Sequence, residues 1–157
     1  MHEGDLAQIP KPLRRDFDHV IANPPYYHAG GSPSPVAVRA RAMQVRTPLS
    51  DWVLAATRRL RPGGWLTLIC GADGLPEVLA ALAPKLGSAA VLPLAPREGR
   101  AALRVILRAR KGGRAPFRLL APFVIHEGET HDGDLESYTP QANAVLRGGG
   151  DTLPLFS

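Results

Sequence analysis

Apolar and polar positions along this chain fall into blocks, and each block has the period of one kind of element. Phe17-Asp18-His19-Val20-Ile21-Ala22 is an apolar run that stops abruptly at Asn23-Pro24-Pro25, which predicts a buried strand over 17–22 whose backbone can no longer join a ladder. Leu49, Trp52, Val53, Ala56 and Leu60 then recur at helical spacing, behind Thr47 as N-cap and Pro48 at the first helical position. Pro62-Gly63-Gly64 is expected to stop that helix, and 65–70 reads as a second buried strand. Leu75, Val78, Leu79, Leu82 and Leu86 mark a second helix closed by Gly87 as a C-cap. Segments 90–94 and 103–109 read as two strands joined by Pro96-Arg97-Glu98-Gly99-Arg100. Another strand is expected within 117–126, and a short last helix runs from Thr139-Pro140 to Leu146. Residues 28–48 form a long loop and 127–137 a shorter one, and no internal repeat is evident. Strand, helix, strand, helix and a strand pair describe half of a doubly wound α/β sheet within a single domain, 1–157.

Composition narrows the setting. A hydrophobic share of 45% over 157 residues supplies one real core, filled mostly by Leu, Val, Ile and Ala because aromatics are few. The single cysteine, Cys70, excludes a disulfide framework and favours a reducing, cytoplasmic home; within its apolar stretch it reads as a core residue. Met1-His2-Glu3-Gly4-Asp5 lacks the pattern of a signal peptide, and no apolar run nears the roughly 20 residues that cross a bilayer, so no membrane partner is expected. A net charge of +5, carried mostly by arginine, suits a polyanionic partner.

Asn23-Pro24-Pro25-Tyr26 carries the chemistry. Neither proline offers an N–H, so the turn presents carbonyl oxygens and the Asn23 side-chain amide beside an aromatic face. An exocyclic amine is the natural guest: both N–H bonds can be accepted while Tyr26 stacks on the attached ring. Pro24-Pro25-Tyr26-Tyr27 also has the form of a Pro-Pro-x-Tyr ligand for WW domains, but that mode needs an exposed extended segment and this one is tethered to a core strand. Arg104, Arg108 and Arg110 alternate with apolar residues, which fits a solvated strand face or an RNA track. His126, His131, Asp132 and Asp134 lie close in sequence without the spacing of a metal site and read as a surface loop.

A strand followed by Asn-Pro-Pro-Tyr resembles the amine motif of S-adenosylmethionine enzymes that methylate adenine, guanine or glutamine nitrogens. In element order the chain resembles the C-terminal part of a class I methyltransferase from its fourth strand onward, a partial Rossmann-like fold ending in an antiparallel strand pair. It is most similar to the bacterial family that methylates adenine N6 in valine tRNA. That likeness rests on Gly4-Asp5-Leu6, Asn23-Pro24-Pro25-Tyr26-Tyr27, Trp52 with Arg61-Pro62-Gly63-Gly64, Pro96-Arg97, His126-Glu127-Gly128, Tyr138-Thr139-Pro140 and Leu146-Arg147-Gly148. The resemblance implies a catalytic group of Asn23, Pro24, Pro25 and Tyr26, with Asp5, Leu6 and Asn23 touching the S-adenosylmethionine cofactor. It further implies tRNA contacts from Tyr27, Arg39, Arg41, Arg46, Arg97 and Arg100.

One departure from that family is plain. The glycine-rich turn after a first strand, and the acidic residue ending a second, have no counterpart here: Gly63-Gly64, Gly112-Gly113 and Gly148-Gly149-Gly150 all stand in other contexts. The N-terminal cofactor-binding half is therefore expected to be absent, and the strand at 17–22 to be left with an open apolar edge through which the chain could dimerise. Two other functions remain open: methylation of glutamine N5 in release factors, which uses the same tetrapeptide, and a non-catalytic module whose site is a relic.

Overall fold

A computed structural model describes residues 14–25, 47–128, 137–149 and 153–156. Strand β1, Phe17–Ala22, occupies the span its apolar run predicts. Helix α1, Leu49–Arg59, begins later than expected. Pro48 is extended at φ −55° and ψ 148° and takes the N-cap position without a side-chain cap, so Thr47 does not cap. The carboxylate of Glu77 instead accepts the N–H of Ser50 at 2.9 Å. At the other end the ammonium of Lys111 donates to the carbonyls of Thr57, at 2.8 Å, and Leu60, placing a cation where the helix leaves its acceptors unpaired.

Strand β2, Leu60–Gly71, starts directly after α1, so Pro62-Gly63-Gly64 lies inside the strand and is not the turn that the sequence suggests. Gly64 makes this possible: a Cβ there would stand 2.9 Å from the Asp18 carbonyl of β1. Helix α2, Leu75–Leu82, is shorter than the apolar spacing predicts. Pro84 disfavours a helical residue before it, and Gly87 is not a C-cap but a ladder residue of strand β3, Leu86–Ala95, opposite Arg110. Strand β4, Arg104–Lys111, follows. The strand expected in 117–126 is two short ones, β5 Arg118–Leu119 and β6 Phe123–Val124. Helix α3, Pro140–Gly148, starts where its sequence predicts, and the Thr139 hydroxyl caps it by accepting the Ala142 N–H at 3.1 Å. A 3-10 turn spans Leu153–Phe156.

The sheet order is β1-β2-β4-β3-β5, with β6 also beside β3. β1 pairs with β2 in parallel, while β4 is antiparallel to both β2 and β3, so β1, β2 and β3 all point one way. Those three run in chain order from one edge, as do the last three strands of a doubly wound 3-2-1-4-5-6 sheet. The expected strand pair exists, but β4 is wedged between β2 and β3 and is not the end of the chain's pairing.

Alternation decides which side is packed. Leu66, Leu68 and Cys70 of β2 and Val105, Leu107 and Ala109 of β4 are buried with Val53, Ala56, Val78 and Leu82 from the two helices. Trp65, Thr67, Ile69, Ile106 and Arg108 point to the other face and are half-buried. β1 is an edge of the described sheet, and Ile21 on it is 82% exposed.

Candidate active site

Parallel strands bring their carboxyl ends to one side, and ligands of open α/β sheets bind there. Here that side carries the segment after β1 (Asn23, Pro24, Pro25), the segment after β2 (Gly71 to Gly74) and the segment after β3 (Pro96 to Arg100). Asn23 is exposed, Pro24 buried and Pro25 exposed. Burying Pro24 costs no backbone donor, because its ring has replaced the N–H, and its packing anchors Asn23 at the rim. No described residue hydrogen-bonds the Asn23 side chain.

Beyond β2 the chain turns at once. Ala72 donates its N–H to the Leu103 carbonyl at 3.0 Å, and Asp73 folds back so far that a Cβ on Gly71 would lie 2.3 Å from its carboxylate oxygen. Asp73 was not singled out by the sequence; a lone Asp before a Gly reads as an ordinary turn. Burial, with Asp73 as a second cause, pushes the Cys70 thiol up from 9.0 to about 11, so this cysteine is an inert core residue and no nucleophile.

Arg97 is placed on the same side but does other work. β2 and β4 lie between β1 and β3, so at about 4.8 Å per strand some 14 Å of sheet separates it from Asn23. Its guanidinium donates to the carbonyls of Glu127 and Gly128, the latter at 3.1 Å, and reaches the Ser137 hydroxyl at 3.5 Å. His126 and Tyr138, joined as a β-bridge, stack at 4.9 Å between ring centroids. Much of the C-terminal pattern in the sequence is therefore one clasp: Arg97 closes 125–128 on 137–139, and Thr139 both caps α3 and donates to the Val124 carbonyl at 3.0 Å. Arg100 lies exposed on the loop between β3 and β4. Trp52 packs on the core with its indole N–H buried and unpartnered among the described residues. Asp5, Leu6, Tyr26, Tyr27, Arg39, Arg41 and Arg46, most of the 28–48 loop and most of the 127–137 loop lie outside the described residues, as do His131, Asp132 and Asp134. Among the described residues no group of three His, Cys, Asp or Glu could hold a metal ion, and no helix is long and apolar enough to cross a membrane.

The chain shares its fold with a predicted methyltransferase. It is similar to the structure of a predicted O-methyltransferase of Agrobacterium tumefaciens, with a TM-score of 0.69 and 27% identity over 94% of this chain and 62% of that one. A looser likeness, TM-score 0.47 and 18% identity, over 73% of this chain and 38% of the other, is to a putative class I S-adenosylmethionine-dependent methyltransferase of Listeria monocytogenes. The chain thus spans less than two thirds of the length of the first of these. No family model and no curated protein sequence matches it.

A sulfonium nucleoside needs a run of free backbone N–H groups and a carboxylate for its ribose. The described residues do not assemble them. Gly63-Gly64 is inside β2, and Gly112-Gly113 follows β4 at the opposite end of the sheet, where the Gly112 N–H donates to the Lys85 carbonyl at 2.9 Å. Of the three residues expected to touch the cofactor, Asn23 alone is described.

Proposed function

We propose that this chain is the substrate-presenting part of an S-adenosylmethionine-dependent N-methyltransferase whose target is the N6 amine of an adenine in tRNA. The observation that carries the proposal is the rim of β1: an exposed Asn23 whose side chain no described residue engages, followed by two prolines, at the carboxyl edge of a parallel sheet with a methyltransferase fold. An amine conjugated to a ring is a poor nucleophile because its lone pair is delocalised. Hydrogen bonds from its two N–H groups to the Asn23 oxygen and the Pro24 carbonyl favour a pyramidal nitrogen with a freer lone pair. This is positioning and electrostatic stabilisation, and no residue of shifted pKa is required. Tyr26 would stack on the extruded base, worth about 1–3 kcal/mol. Tyr27, Arg39, Arg41, Arg46 and Arg100 would serve the RNA, and the net charge of +5 favours RNA over a release-factor glutamine. The reducing cytoplasm suits a chain with one buried thiol.

A second reading comes from the Agrobacterium relative, named as a predicted O-methyltransferase. A hydroxyl would need a base, and Asp73 is the carboxylate that the turn after β2 supplies. One experiment separates these readings. The complete enzyme is incubated with methyl-labelled cofactor and tRNA, release factor or a catechol, and the product nucleosides are resolved. Label in N6-methyladenosine supports the proposal; label only on protein or on oxygen overturns it.

A further inference from the structure

The sheet face turned away from α1 and α2 carries positive charge that the amine site does not use. Register places Thr67, Arg108, Ala90 and Arg118 in one row across β2, β4, β3 and β5, with Trp65 and Arg110 paired in the neighbouring row and Arg104 further along β4. No Asp or Glu occurs anywhere in β2, β3, β4, β5 or β6. Asp18, the one acid within the strands of this sheet, is paired with Arg61. The arginines are held and not loose. Arg108 lies over the Trp65 ring at 4.3 Å, with the Phe156 ring 5.8 Å away and Arg110 at 5.8 Å from Trp65. Arg110 is fixed by the Gly63 carbonyl at 3.1 Å, and Arg118 by the Phe156 carbonyl.

Stacking on aromatics holds a guanidinium flat and leaves its edge N–H groups for a ligand, so less ordering cost remains at binding. A single-sign patch with an aromatic member fits a polyanion that also offers flat groups. We propose that this face is an RNA-docking surface, with Arg108 and Arg118 on phosphates and the Arg108–Trp65 stack against an unpaired base. The proposal is independent of methyl transfer, because the surface is distinct from the Asn23 rim and its test reads binding alone.

The test measures anisotropy of a fluorescein-labelled RNA hairpin with the full chain over a salt series. Affinity should fall linearly with salt on logarithmic axes, and Arg108→Gln with Arg118→Gln should reduce the slope by about 2 and weaken binding about tenfold or more. Arg58→Gln with Arg59→Gln removes the same charge from α1 on the other layer and should change affinity about twofold at most. Arg108→Lys keeps the charge but not the planar stack; it should keep the slope and still weaken binding, and it decides the matter if the double variant does not fold. In a Trp52→Phe background RNA should quench the remaining fluorescence of Trp65. Equal losses from both double variants, no measurable binding, or tighter binding to phosphatidylserine vesicles than to the hairpin would each overturn the proposal.

Discussion

Asn23 and Arg97 stand at the carboxyl ends of two parallel strands of one sheet, yet their environments differ in a way that separates a site from a scaffold. Asn23 is exposed at the edge strand, with no described partner for its side chain and a proline on its C-terminal side that cannot donate. Arg97 is half-buried, and its guanidinium donates to two backbone carbonyls and a serine hydroxyl about 30–40 residues downstream. A polar group left unpaired at a ligand-binding edge is free to act on a guest, whereas a polar group with all its partners inside the chain holds a loop. Both lie in stretches that resemble the same family, so resemblance alone does not distinguish them.

That contrast can be broken from either side. Asn23→Ala in the complete enzyme should lower the methylation rate by about 10²-fold or more, the effect of losing one preorganised polar contact, with much less change in RNA affinity. Equal loss of both, in steady-state and binding assays, would make Asn23 a structural residue like Arg97. Arg97→Gln should do the reverse. It should cost about 0.5–1.5 kcal/mol in a urea titration, through the lost hydrogen bonds, and leave the turnover of folded protein within about threefold.

Smaller effects sharpen the comparison of the two strands. β1 presents an edge with an 82% exposed Ile21 and no lysine or proline among its six residues, so we propose that the chain pairs through it with a second copy. Light scattering should show self-association that Ile21→Lys abolishes at little cost to stability; a monomeric parent chain would remove the edge from consideration. The smallest effect belongs to Cys70, beneath the β2 end. Its thiol is raised from 9.0 to about 11 in the folded chain, so its contribution is intact below pH 9.0 and is lost as pH rises towards about 11. Ultraviolet detection of thiolate should show ionisation delayed relative to the urea-unfolded chain; coincident titrations would place the thiol in water.

The strand at 17–22, the existence and order of the two helices, the paired strands near 90 and 105, and the start of the last helix at Thr139-Pro140 were legible in the sequence because each rests on local spacing or local chemistry. Boundaries set by distant residues were not. Pro62-Gly63-Gly64 reads as a turn until the Asp18 carbonyl approaches Gly64, and α1 is capped by Glu77 and Lys111, which lie 27 and 54 residues from the backbone groups they engage. Asn23 was legible because a strand, an amide and two prolines are contiguous. The role of Arg97 was not, since an arginine beside a proline looks the same whether it meets a phosphate or a carbonyl of its own chain. That an α/β sheet forms, and that an amide stands at the rim of its first strand, follows from local pattern alone, since periodicity and the missing proline N–H are properties of neighbouring residues. Which polar groups are engaged is set by the assembled fold, because a hydrogen bond between residues 97 and 128 exists only once the chain has brought them together.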